Sequence, residues 1–104
     1  MAKAEIYPGN CGYSTTVQAT RTETGTIELH IDSQCAAIRK MAAELPEVDP
    51  MQNMNSRRQA APVLLSGMKF CSHAACPVPV GVLKAVEVEA GLNLPVDVSI
   101  KVSK

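Results

Sequence analysis

The stretch Ile27-Glu28-Leu29-His30-Ile31-Asp32-Ser33-Gln34-Cys35-Ala36-Ala37-Ile38-Arg39-Lys40-Met41-Ala42-Ala43-Glu44-Leu45-Pro46 changes its hydrophobic period halfway along. Up to Asp32 the period is two. Ile27, Leu29 and Ile31 point one way and Glu28, His30 and Asp32 the other, the signature of a half-buried strand. From Cys35 onward the spacing becomes three and four. Cys35, Ile38, Met41, Ala42 and Leu45 share one stripe, and Arg39, Lys40 and Glu44 fall on the wet side, which reads as an amphipathic helix. Asp32 or Ser33 can cap that helix by accepting from an orphan backbone N–H. Pro46 ends it, because proline lacks the donor that a helix interior needs. A strand therefore feeds directly into a helix that must fold back over the sheet.

Two more strands precede it. Ala2, Ala4 and Ile6 alternate with Lys3, Glu5 and Tyr7 until Pro8-Gly9-Asn10 breaks the run. A second run, Tyr13 to Arg21, is rich in Thr and Val, and Thr22-Glu23-Thr24-Gly25 has the composition of a hairpin turn. Downstream, Met51 to Ser56 reads as a polar loop, and Gln59 to Met68 fits either a short helical turn or a strand. A second helix is expected to begin near Pro77 or Pro79, since proline suits a first helical turn. Val82, Leu83, Val86 and Ala90 form its buried side, Lys84, Glu87 and Glu89 its charged side, and Gly91 its C′ position. The last run alternates again, with Val96, Val98, Ile100 and Val102 in and Asp97, Ser99, Lys101 and Ser103 out. The expected order is β-β-β-α-α-β. It describes one α+β domain over residues 1–104, a mainly antiparallel sheet of about four strands with two helices packed on one face.

Composition narrows the function. Three aromatic residues and no Trp leave the core to Val, Ile, Leu, Ala and Met. Ten basic residues balance ten acidic ones, and there is neither a basic stripe nor a stacking platform, which argues against a nucleic-acid partner. The Arg57-Arg58 pair stands alone and fits a solvated loop. No apolar run approaches the roughly 20 residues needed to span a bilayer, and Met1 to Ile6 contains no signal-peptide h-region. A cytoplasmic location follows, where clustered cysteines serve metal binding or redox chemistry more often than disulfides.

Four cysteines, Cys11, Cys35, Cys71 and Cys76, carry the chemistry. In an up-down-up meander the ends of strands one and three lie at one edge of the sheet, so Cys11 and Cys35 should share it. Cys76 precedes the second helix, and if that helix runs antiparallel to its strand, Cys76 reaches the same edge with Cys71 beside it. A helix N-terminus lowers the cost of the thiolate that a ligand or nucleophile requires. The spacing Cys71-x4-Cys76 falls within the range of zinc ligands. Cys76-Pro77 matches the Cys-Pro pairs beside iron–sulfur clusters. His73 is placed to replace Cys71 as fourth ligand or to donate a hydrogen bond to sulfur. The plainer reading is that these thiols are small core hydrophobes, and Cys35, on its apolar stripe, suits it well.

Other constellations are weaker. Glu87 and Glu89, two apart, cannot share a helix face. His30 lies on the polar side of its strand. No phosphate loop, dinucleotide fingerprint or nucleophile elbow is present.

Gly9-Asn10-Cys11-Gly12, Ile31-Asp32-Ser33-Gln34-Cys35 and above all His73-Ala74-Ala75-Cys76-Pro77-Val78-Pro79, with Lys84 to Leu92, resemble a small uncharacterised family of proteins of about this length from anaerobic bacteria and archaea. The resemblance extends over nearly the whole chain. It implies an anaerobic setting and supplies no reaction.

Three functions follow as expectations. One is a small metal-binding protein whose Cys11, Cys35, Cys71, Cys76 and His73 hold a [4Fe–4S] cluster or zinc. The second is a thiol-redox or thiol-transfer enzyme that attacks with Cys35 or Cys76. The third is an interaction module with packed cysteines. An unpaired sheet edge would also suit a homodimer.

Overall fold

The computed structural model describes every residue except Ser56 and Arg58. The last residue of the 51–56 loop and the second arginine of the Arg57-Arg58 pair therefore lie outside the described residues. Three strands form first: β1 (Ala2–Ile6), β2 (Thr15–Arg21) and β3 (Ile27–Ser33). They pair as an antiparallel meander, with Ile6 opposite Thr15 and Thr15 opposite Ser33. The hairpin between β2 and β3 turns at Gly25, whose φ of +89° lies in the left-handed region that favours glycine. The two-residue strand β4 (Glu47–Val48) closes the far side, giving the order β1-β2-β3-β4.

The register puts Thr15, Val17 and Ala19 of β2 and Ile27 and Ser33 of β3 on the buried face. Thr20, Glu28, His30 and Asp32 are exposed on the other face. The helices all cover the first face. α1 (Ala36–Ala43) packs on β3, and α3 (Val78–Glu89) packs on β1 and β2. Between them lies α2 (Pro62–Phe70), in contact with both helices. Ile27, Ile38, Met41, Val17, Val63, Val78, Val82 and Val86 are fully buried, so branched aliphatics and methionine do fill the core.

Expectation and structure part in three places. Among the described residues there are three α-helices rather than two, because 62–70 is helical. The fourth strand is Glu47–Val48, placed by Leu29 N–H donating to the Pro46 carbonyl (2.9 Å) and by Thr26 Oγ1 donating to the Glu47 carboxylate. The terminal run around Val96, Val98, Ile100 and Val102 is not a strand and faces nothing: Leu94, Ile100 and Val102 are 74%, 76% and 90% exposed. Alternation is a necessary sign of a half-buried strand, but a strand also needs a hydrogen-bonding neighbour, and among the described residues no strand pairs with the segment.

Two close approaches orient the helices. A Cβ added at Gly67 of α2 would lie 2.5 Å from Pro79 Cγ in the first turn of α3. One added at Gly81 would lie 2.5 Å from Ile6 Cγ1. The second contact fixes the start of α3 beside the end of β1. At its other end Glu89 accepts the Arg21 N–H (2.9 Å) and pairs with the Met1 ammonium (3.3 Å). α3 therefore runs antiparallel to β1. The backbone N–H of Arg21 holds the Glu89 carboxyl below the usual carboxylate range, with the N-terminal ammonium adding to it.

α2 has an unusual start. Its N-cap is Ala61, which offers no side-chain acceptor. Buried Asn53, on the 3₁₀ turn Met51–Asn53, supplies one instead: its Oδ1 accepts the Val63 N–H (3.0 Å), while its Nδ2 donates to the Asp49 carbonyl (2.8 Å).

Gly67→Ala separates packing from helix propensity. Alanine in a helix interior is favoured over glycine by about 1 kcal/mol, whereas a methyl group driven into the Pro79 ring costs about 1–3 kcal/mol, since the ring cannot move without α3. Urea denaturation should show Gly67→Ala to be net destabilised; a higher urea midpoint would show that the two helices separate freely.

Candidate functional site

Cys71 is the residue after α2 and Cys76 lies two residues before α3. The Cys71 N–H still donates to the Gly67 carbonyl (2.8 Å), and the Cys76 N–H donates to the His73 carbonyl (3.2 Å) across the intervening turn. The helix ends thus set both cysteine backbones. The Gly67–Pro79 approach brings the helices together four residues before Cys71 and three after Cys76.

Cys35 arrives from the sheet. It is the N-cap residue of α1, and its side chain makes no capping hydrogen bond. Ser33 positions it: Ser33 Oγ accepts the Cys35 N–H (3.1 Å) and shares a buried 2.8 Å hydrogen bond with Thr15 Oγ1. Arg39 Nη1 donates to the Ser33 carbonyl (3.1 Å). The N-cap thus lies two residues beyond Ser33, at Cys35, and Ser33 serves the amide of Cys35 instead.

These three thiols converge. All are half-buried and free. Burial pushes the Cys71 thiol up to about 11 from an ordinary 9.0, with further upward contributions from charge repulsion by Cys76, hydrogen bonding with Cys76 and charge repulsion by Cys35. Thiolates near one another disfavour each other's charge, and a partly dry setting adds to the effect.

Cys11 occupies the β1–β2 connection, at the end of the sheet where Ile6, Thr15 and Ser33 line up. Its turn closes through Gly12 N–H donating to the Gly9 carbonyl (3.0 Å), and its side chain is exposed. His73 is also exposed, on the turn that carries Cys76. The structure thus sets Cys76 and Cys35 within electrostatic reach of Cys71, and leaves the Cys11 and His73 side chains exposed. Among the described residues, no group of three or more His, Cys, Asp or Glu side chains already stands in metal-holding geometry. Two open concavities lie elsewhere, on the polar face of the sheet, one flanked by Gln18, His30 and Glu47 and the other by Ser14, Asp32 and Arg39. Neither is lined by a cysteine.

Sequence reasoning missed Asn53, the side chain that holds a backbone amide at the start of α2; Ser33, expected as a cap, serves the Cys35 amide. Asn53 sat in a polar stretch with no periodicity, and its partner is ten residues away.

The folded state holds the Cys71 proton more tightly than the unfolded chain does. Its contribution to stability is therefore fully present below the unfolded value near 9 and is lost as pH rises through about 11. The urea midpoint of the metal-free protein should fall across that window, and Cys71→Ala should remove part of the fall. At pH 7.5 iodoacetamide should modify exposed Cys11 well before Cys71, read by peptide mass spectrometry; equal rates would mean that Cys71 is neither sheltered nor held protonated.

No curated protein and no solved structure matches the chain. The profile of a family of unknown function, DUF6951, matches residues 2–102, and the chain belongs to that family.

Proposed function

We propose that the protein binds a thiolate-preferring metal centre, zinc or a [4Fe–4S] cluster, through Cys35, Cys71 and Cys76, with Cys11 or His73 able to supply a fourth ligand. The observation that carries this reading is that Cys71, at the end of α2, has both Cys76, before α3, and Cys35, after β3, as neighbours, all three free thiols delivered by different elements. Packed cysteines need not face one another. Ligands must.

The charge logic supports it. Desolvation raises the cost of ionising Cys71, and the neighbouring Cys76 and Cys35 raise it further. A divalent cation or an iron–sulfur cluster reverses that cost, because a bound thiol is deprotonated outright. Metal binding at this site would therefore release protons at neutral pH. No such ligand set stands preformed among the described residues, so binding would draw the thiol side chains together with Cys11 or His73. The same crowding counts against Cys71 as the attacking thiol of a redox enzyme, since a reactive cysteine needs a lowered rather than a raised pKa.

Protein purified under strict anaerobic conditions should carry about one zinc, or about four irons with four sulfides, per chain. Cys71→Ser and Cys76→Ser should each lower retention of that metal at least about ten-fold. Less than about a tenth of an equivalent of zinc or iron after reconstitution, on the scale expected of tight sites, would sink the reading. The same preparation also yields the proton count: uptake of zinc by metal-free protein in weak buffer should acidify it.

A further inference from the structure

We propose that the C-terminal arm is a β-strand supplied in trans, added parallel to β1 at the open sheet edge of a second copy of this chain. The inference is independent of the thiol site.

The exit of the arm is built. Gly91 adopts a φ of +75°. Leu92 N–H donates to the Glu87 carbonyl (2.9 Å) and Gly91 N–H to the Val88 carbonyl (3.1 Å), the paired bonds of a Schellman stop. Asn93 Nδ2 then donates to the Glu87 carboxylate (2.9 Å), its Oδ1 accepts the Leu94 N–H (2.9 Å), and Pro95 restricts the next step. These bonds aim the chain off the body rather than back along its own sheet, and the long axis of the molecule reaches 44 Å against 27 Å for the others. The arm then offers Val96, Val98, Ile100 and Val102 on one side and Asp97, Ser99, Lys101 and Ser103 on the other, and all its large apolar side chains are exposed. So contiguous an apolar stripe on a single unpaired segment marks an interaction surface.

The matching acceptor is on the same molecule. β1 pairs with β2 only, so its outer edge has no strand neighbour. At that margin the core is unfinished: Ala4 and Ile6 of β1, and Val88 and Ala90 at the end of α3, are only partly buried. An added strand would continue the inner face over them.

Charge and apolar matching together select the direction. In a parallel register Val96, Val98 and Ile100 lie beside Ala2, Ala4 and Ile6, which matches apolar to apolar. The same register sets Asp97 against Lys3 and Lys101 diagonal to Glu5. Reversing the strand over the same five residues sets Asp97 against Glu5, and sliding it one pair in one sense sets Lys101 against Lys3; directly opposed like charges are unfavourable. Sliding it in the other sense returns Asp97 to Lys3 but carries Ile100 and Val102 past the start of β1, off the ladder. Reciprocal exchange of the two arms closes the assembly as a two-fold dimer and leaves no β1 edge open.

Sedimentation equilibrium should find the full chain dimeric, and a chain ending at Asn93 monomeric with its helical circular dichroism retained. Asp97→Lys in the full chain should weaken the dimer about ten-fold, because both symmetry-related pairs turn repulsive, and adding Lys3→Asp should restore it. A monomeric full chain overturns the proposal, whether its 96–102 amides exchange freely or are protected on its own sheet. So does a dimer that survives the truncation. A dimer lost on truncation but indifferent to Asp97→Lys overturns the parallel register.

Discussion

The contact of Gly67 with the ring of Pro79 is the constraint on which the thiol site depends. A side chain at position 67 would hold α2 and α3 apart, and with them Cys71 and Cys76, which lie four and three residues from that contact. The helices have little freedom elsewhere. α2 is held at its start by Asn53 and α3 at both ends, by Ile6 against Gly81 and by Glu89 against Arg21 and the N-terminus. The third thiol is set from the sheet side, where Ser33 links Cys35 to Thr15. The positions of the three cysteine backbones are therefore a property of the packed core.

That rigidity has an electrostatic consequence. Thiols on flexible loops could rotate apart and ionise one by one. Here the elements that carry them are locked, so burial and neighbouring sulfur act together on Cys71. Its resting state at neutral pH is the protonated thiol. Under the proposed metal-binding reading the site would select by charge and softness: a hard cation such as magnesium would gain little from sulfur, whereas zinc and iron–sulfur units would favour it.

What could be read in the sequence was whatever local periodicity encodes. The strands β1 to β3, the stripe Ile38, Met41 and Leu45, and the Gly91 stop of α3 all depend on neighbours a few residues away, and each was legible. α2 was not, because Gln59 to Met68 lacks a clean period and its start is stabilised by Asn53, far along the chain. Two-residue β4 lies below the length at which a pattern can show. The expected topology places Cys11 and Cys35 at one sheet edge and brings Cys76 and Cys71 there by a helix paired with a terminal strand; α3 instead packs on β1 and β2, and Cys71 ends a helix that periodicity did not reveal.

The C-terminal arm shows the limit of periodicity from the other side. Its alternation is as regular as that of β3, yet β3 has β2 beside it and the arm has no strand of its own chain. Binary pattern states which face a strand would bury; it does not state whose backbone completes the ladder. In the proposed exchange the arm starts beside Ala2 of the partner and runs parallel to β1, so its last residues arrive at the end of the sheet where Ile6, Thr15 and Ser33 align. That is also the end that carries the Cys11 turn and Cys35. Lys101 and Lys104 would then stand near the thiol-bearing end of the other copy, and positive charge there favours thiolates. The arm and the proposed metal centre, independent in their origin, would share one electrostatic environment across the dimer.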